Sequence, residues 1–88
     1  GNTTIRSEQV ADLKVFPNPA QAQVTLQWAA DARQLQVYSA AGQLITQYPL
    51  EEATRYFELS LEGYGKGLYF LALRLKDGSS STIKLIKQ

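Results

Sequence analysis

Leu68-Tyr69-Phe70-Leu71-Ala72-Leu73-Arg74-Leu75 is the longest apolar run of the chain. On an extended strand Tyr69, Leu71, Leu73 and Leu75 fall on one face, and Leu68, Phe70, Ala72 and Arg74 on the other. A strand apolar on both faces near its start belongs in the middle of a sheet. Asp77-Gly78, directly downstream, is the strongest local turn signal in the chain, because glycine accepts the positive φ that a tight hairpin demands. The turn leads into Thr82–Lys87, where Ile83 and Leu85 point one way and Lys84 the other.

Upstream, the same period of two recurs. Leu13–Phe16 reads as a short strand that stops at Pro17-Asn18-Pro19. Neither proline has an N–H to donate to a ladder, and each holds its preceding residue extended. Ala22–Trp28 alternates, with Ala22, Val24, Leu26 and Trp28 on one face and Gln23, Thr25 and Gln27 on the other. Leu35–Tyr38 and Leu44–Tyr48 flank Ser39-Ala40-Ala41-Gly42-Gln43 and read as a hairpin turning at Gly42. Tyr56–Leu61 alternates again, with Phe57, Leu59 and Leu61 inward, and a corner follows at Gly63, Gly65 and Gly67. About seven short strands at this spacing, with no amphipathic helical stretch, specify an all-β fold: a small immunoglobulin-like antiparallel β-sandwich. Tyr69, just inside a late strand after a glycine-rich bend, sits where such folds keep a corner tyrosine, whose hydroxyl is expected to bond backbone in that bend.

Residues 1–12 are polar and without periodicity, and read as a linker or cleavage-region arm. Order is expected from Leu13, which leaves 13–88 as the folded unit. A chain of 88 residues of this kind buries only about 60–65% of its unfolded surface, so its stability is modest. It begins with Gly1 rather than Met and shows no signal peptide, so it reads as a fragment, a processed piece or an expressed segment, and a secreted owner would carry its signal elsewhere on a longer precursor. Cysteine is absent, and no disulfide staples the fold.

The net charge of +1 argues against a nucleic-acid binder that relies on bulk charge. The charge is unevenly placed: residues 65–88 carry +4 and residues 1–64 carry −3. A basic last quarter suits an acidic partner, or lysines that guard an edge strand against pairing.

Enzymatic chemistry is not expected. Without His or Cys, the commonest general base and the commonest soft nucleophile are missing, as are the usual zinc ligands. Glu51-Glu52 is the only adjacent acidic pair, and neighbours on an extended chain point apart. Ser79–Ser81 beside Lys84 reads as loop rather than a Ser–Lys dyad. Gly63–Gly67 lacks the Gly-Lys-Ser/Thr ending and the helix of a phosphate loop. No cofactor and no metal is therefore expected. The aromatics leave one binding option. Trp28 and Phe57 face inward, whereas Tyr38, Tyr48, Tyr56 and Tyr64 read first as cross-strand aromatic pairs and, if exposed together on one sheet, would suit a small carbohydrate-binding module.

In order along the chain stand Val15-Phe16-Pro17-Asn18-Pro19, an alternating strand, the hairpin at Gly42, Leu59-Ser60-Leu61, Gly67-Leu68-Tyr69 and a closing Lys84-Leu85-Ile86. This ordered set resembles the C-terminal sorting domain of the type IX (Por) secretion system of Bacteroidetes. One departure is Ala40-Ala41 before Gly42, where the family often has Asp or Asn. The resemblance implies a non-catalytic secretion signal that carries an N-terminal cargo protein from the periplasm across the outer membrane. Its partners would be an outer-membrane translocon and a sortase-type surface peptidase that removes the domain, cutting within or before residues 1–12. It points to Lys84, Leu85, Ile86 and Lys87 on the terminal strand as the recognition residues. A terminal edge strand offers backbone groups for strand addition by a receptor, and equally for edge-paired or swapped dimers. An immunoglobulin-like spacer or adhesion module and a carbohydrate-binding module are the alternative readings.

Overall fold

A computed structural model describes residues 11–88. Seven strands follow in chain order: β1 (Lys14–Phe16), β2 (Gln23–Gln27), β3 (Ala32–Ser39), β4 (Leu44–Pro49), β5 (Tyr56–Ser60), β6 (Gly67–Leu75) and β7 (Ser80–Lys87). They form two antiparallel sheets, one of three strands in the order β1-β2-β5 and one of four in the order β4-β3-β6-β7. β6 lies between β3 and β7, as its two apolar faces require. Each strand expected from alternation is present, and β3 begins at Ala32, three residues ahead of the expected Leu35.

The sandwich closes on the inward faces. Val24, Leu26, Leu35, Val37, Leu59, Leu61, Leu71, Leu73 and Leu85 are fully buried between the sheets. Trp28 joins them, and Phe57 packs half-buried against the cluster. Ala22 does not. It precedes β2 and is exposed, and its carbonyl accepts a bond from the Leu61 N–H (2.9 Å). Ala11, which the sequence pattern places in the arm, packs with the fold. Ala11 is fully buried, and its carbonyl accepts a bond from the Ala29 N–H (2.7 Å). Residues 1–10 of the arm assigned to 1–12 lie outside the described residues.

The turns follow their residues. Gly42 (φ 89°) closes the β3–β4 hairpin. The Gln43 N–H donates to the Ser39 hydroxyl (3.2 Å), which ties the turn across Ala40-Ala41. Gly78 (φ 95°) turns β6 into β7. The Ser79 hydroxyl (2.6 Å) and N–H (2.9 Å) donate to the Asp77 carboxylate and hold its pKa below the ordinary aspartate value.

Candidate recognition site at the carboxyl-terminal strand

β7 is an edge strand by sheet order, yet half of its outer edge is occupied. Backbone groups along a strand point alternately to either side. Leu85 and its odd-numbered neighbours face β6, which leaves Lys84, Ile86 and Gln88 facing outward. The chain leaving β1 runs along this outer side. Pro17 and Pro19 cannot continue the ladder with β2, so the segment leaves its own sheet and crosses to the other.

There the Asn18 side chain, with a donor and an acceptor in one plane, stands in for a peptide group. Its Nδ2 donates to the Lys84 carbonyl (2.8 Å), and its Oδ1 accepts from the Ile86 N–H (3.0 Å). Ala20 continues the row in a short parallel bridge with Lys87. The Ala20 N–H donates to the Ile86 carbonyl (2.8 Å), and the Gln88 N–H donates to the Ala20 carbonyl (2.7 Å). Every outward group from the Lys84 carbonyl to the Gln88 N–H is thereby satisfied. Strand addition along the whole terminal edge is not available in this state. Among the described residues, the outward groups without such a cover are those of Ser80, Thr82 and the Lys84 N–H.

The four candidate recognition residues divide by face. Lys84 is exposed and Ile86 is 42% exposed, while Lys87 is half-buried. Leu85 is 0% exposed, so its side chain is core and cannot touch a receptor while the domain is folded. The remaining motif residues converge on the same end of the four-stranded sheet. Gly67 (φ 137°) pairs with Lys87 and Tyr69 with Leu85. Ser39, at the base of the Gly42 hairpin, pairs with Tyr69. Residues 66 and 68 positions apart in the chain thus meet at one site. Ala20, which carries two of the four edge bonds, has no signal of its own in the sequence.

The Tyr69 hydroxyl donates to the Gly65 carbonyl (2.7 Å), the corner bond expected from its position. Its ring packs against Tyr64 with centroids 5.2 Å apart. Burial, with smaller contributions from Tyr48 and Tyr69, raises the pKa of the Tyr64 hydroxyl. Tyr69→Phe removes only the hydroxyl, and is expected to lower stability by about 0.5–1.5 kcal/mol. A urea titration of both proteins measures it, and coincident midpoints would reject the corner role.

The sugar-stacking platform is not assembled. Tyr48 packs on Phe57 (4.9 Å) and Tyr64 on Tyr69, all against the core. Tyr56 is exposed (60%), but it lies on β5 in the other sheet from Tyr38 on β3. Among the described residues no three His, Cys, Asp or Glu side chains gather as metal ligands.

The family model for the secretion system C-terminal sorting domain matches residues 14–88. The chain belongs to this family. The span runs from the first residue of β1 to the end of the chain, and so contains both halves of the Asn18–β7 contact. Among solved structures the sorting domain is similar to part of PorZ of Porphyromonas gingivalis, a surface component of the type IX secretion system, at 17% identity and a TM-score of 0.75. It is similar to part of latent PorU of the same organism at 21% identity and a TM-score of 0.63. It covers 100% and 88% of itself in these matches, but only 13% of the PorZ chain and 9% of the PorU chain. CopC of Methylosinus trichosporium OB3b shares the fold more loosely, at 14% identity and a TM-score of 0.50, with 85% of this chain and 90% of that one covered. No curated protein matches the chain. These likenesses establish the immunoglobulin-like sandwich, and the family match establishes a sorting domain, which implies a secreted or surface-directed cargo protein.

Proposed function

We propose that this domain is the export signal of a larger protein, read by the type IX machinery and then removed by a sortase-type surface peptidase. The cargo precedes it in the chain. It reaches the periplasm first and crosses the outer membrane through the translocon with the domain attached. Cleavage falls in or before the polar segment 1–12, ahead of the folded unit. The observation that carries this reading is the family match over residues 14–88. The convergence of the matched motifs on one end of a sheet supports it. Recognition is assigned to the terminal region, with Lys84, Ile86 and Lys87 as the contact residues and Leu85 as their support from within the core.

The test fuses residues 1–88 behind a signal peptide and an inert fluorescent protein, in a bacterium that carries the type IX system. The expected result is reporter outside the cell or on its surface, shortened by about the 9.8 kDa of the domain. In a strain lacking the translocon it remains periplasmic and full-length. Full-length periplasmic reporter in both strains would reject the reading and favour a spacer or adhesion module.

A further inference from the structure

The four-stranded sheet has a second apolar cluster on its solvent side. Tyr38, Leu68 and Phe70 are half-buried but lie away from the core between the sheets. Strand order makes them neighbours. Tyr38 is the partner of both Leu44 and Phe70, and Leu68 is the partner of Ile86. Leu44 and Ile86 extend the patch to either side with 49% and 42% exposure.

The electrostatics of this sheet are one-signed. β3, β4, β6 and β7 contain Arg33, Arg74, Lys84 and Lys87 and no carboxylate. Lys84 stands directly opposite Phe70 on the apolar patch, and Arg74 lies two residues beyond Ala72 on the same face. Among the described residues neither forms an ion pair, although Lys14, Arg55 and Lys76 each do.

Resting on the sorting reading, we infer that this outer face is the docking surface for a protein of the export machinery. That partner presents an apolar centre with carboxylates opposite Lys84 and Arg74. A contiguous apolar patch rimmed by charge of one sign is what a protein interface of complementary charge requires. A second copy is a poorer fit. Two such faces meeting about a two-fold axis would bring Lys84 and Arg74 against a surface with no carboxylate to receive them. A membrane is also a poorer fit, since charge-driven attachment uses clusters of roughly 4–8 Lys or Arg and this face points two outward.

The experiment uses the reporter fusion above with Lys84→Glu/Arg74→Glu, with Leu44→Ser, with the charge-preserving Lys84→Arg/Arg74→Lys, and with Gln23→Glu/Gln27→Glu on the other sheet as control. All positions are exposed, so the unfolding midpoints of the purified domains are expected to stay together. Leu44→Ser carries the test if the double reversal does not fold. The expected result is an at least tenfold fall in exported reporter for the charge reversal and for Leu44→Ser. The control should be exported as wild type, and the charge-preserving pair should retain more export than the charge reversal. Wild-type export by the folded reversal and Leu44→Ser variants would overturn the docking face while leaving the sorting reading standing. Absence of wild-type export would instead overturn the sorting reading itself. Sedimentation of the purified domain, alone and with phosphatidylglycerol vesicles, closes the alternatives. A dimer or vesicle binding that the charge reversal abolishes would assign the face to a second copy or to a membrane, and would overturn the acidic protein partner.

Discussion

Leu85→Ala is expected to destabilise the domain by about 2–5 kcal/mol, the usual result of truncating a fully buried leucine and leaving a cavity. Leu85 has no exposed surface and pairs with Tyr69 in the ladder. Its loss would loosen the inward face of β7 where Asn18 and Ala20 grip the outer edge. In so small a sandwich this is a large part of the total stability. Equilibrium unfolding in urea measures it, beside Lys84→Ala, which removes an exposed side chain and is expected to move the midpoint by less than about 0.5 kcal/mol. Equal shifts at the two positions would contradict the assignment of Leu85 to the core. The difference bears on function. Loss of export on changing Leu85, or on deleting the last residues, reports unfolding as readily as lost recognition, whereas Lys84 and Ile86 can be changed with the fold intact.

Asn18→Ala is expected to destabilise by about 1–3 kcal/mol, since it deletes two hydrogen bonds, each worth about 0.5–1.5 kcal/mol net. The lower end is the better expectation, because water reaches both partners once the side chain is gone. The Lys84 carbonyl and the Ile86 N–H would then be free, and the outer edge of β7 would be open to pairing with another chain. Hydrogen exchange gives the sharper readout. Protection of the Ile86 amide should fall at least tenfold, while that of Gln88, held by Ala20, should change less. Asn18→Asp separates the two bonds, because a carboxylate still accepts from the Ile86 N–H but sets a negative charge against the Lys84 carbonyl. It should keep the Ile86 protection and lose stability. Unchanged exchange at Ile86 in Asn18→Ala would mean that the clamp is not formed in solution.

Much of this molecule is legible locally. The alternation of Gln23–Trp28, Tyr56–Leu61 and Leu68–Leu75 locates strands and sorts their side chains into inner and outer sets. Gly42 and Gly78 mark the turns. The inward direction of Leu85 was already present in its alternation with Lys84, and motif resemblance alone made it a contact residue. The tyrosines were less legible. Period two places Tyr48 on a face, but only the strand arrangement brings it against Phe57 of the other sheet and half-buries it.

What the sequence by itself determined is the fold class and the face on which most strand residues lie, because these follow from the two-residue period of the backbone and from the φ that each turn residue permits, while the ordered motifs carried the family resemblance. What only the tertiary structure decided is which strands are neighbours. The Asn18 amide meets β7 across a separation of 66 residues, and Leu44, Tyr38, Phe70 and Lys84 form one row only because the order is β4-β3-β6-β7. Alternation says which way a side chain points and nothing about what it meets, since any strand of the right polarity can complete a ladder. Partner and register are chosen collectively, by burying both inward faces at once and satisfying every buried backbone group.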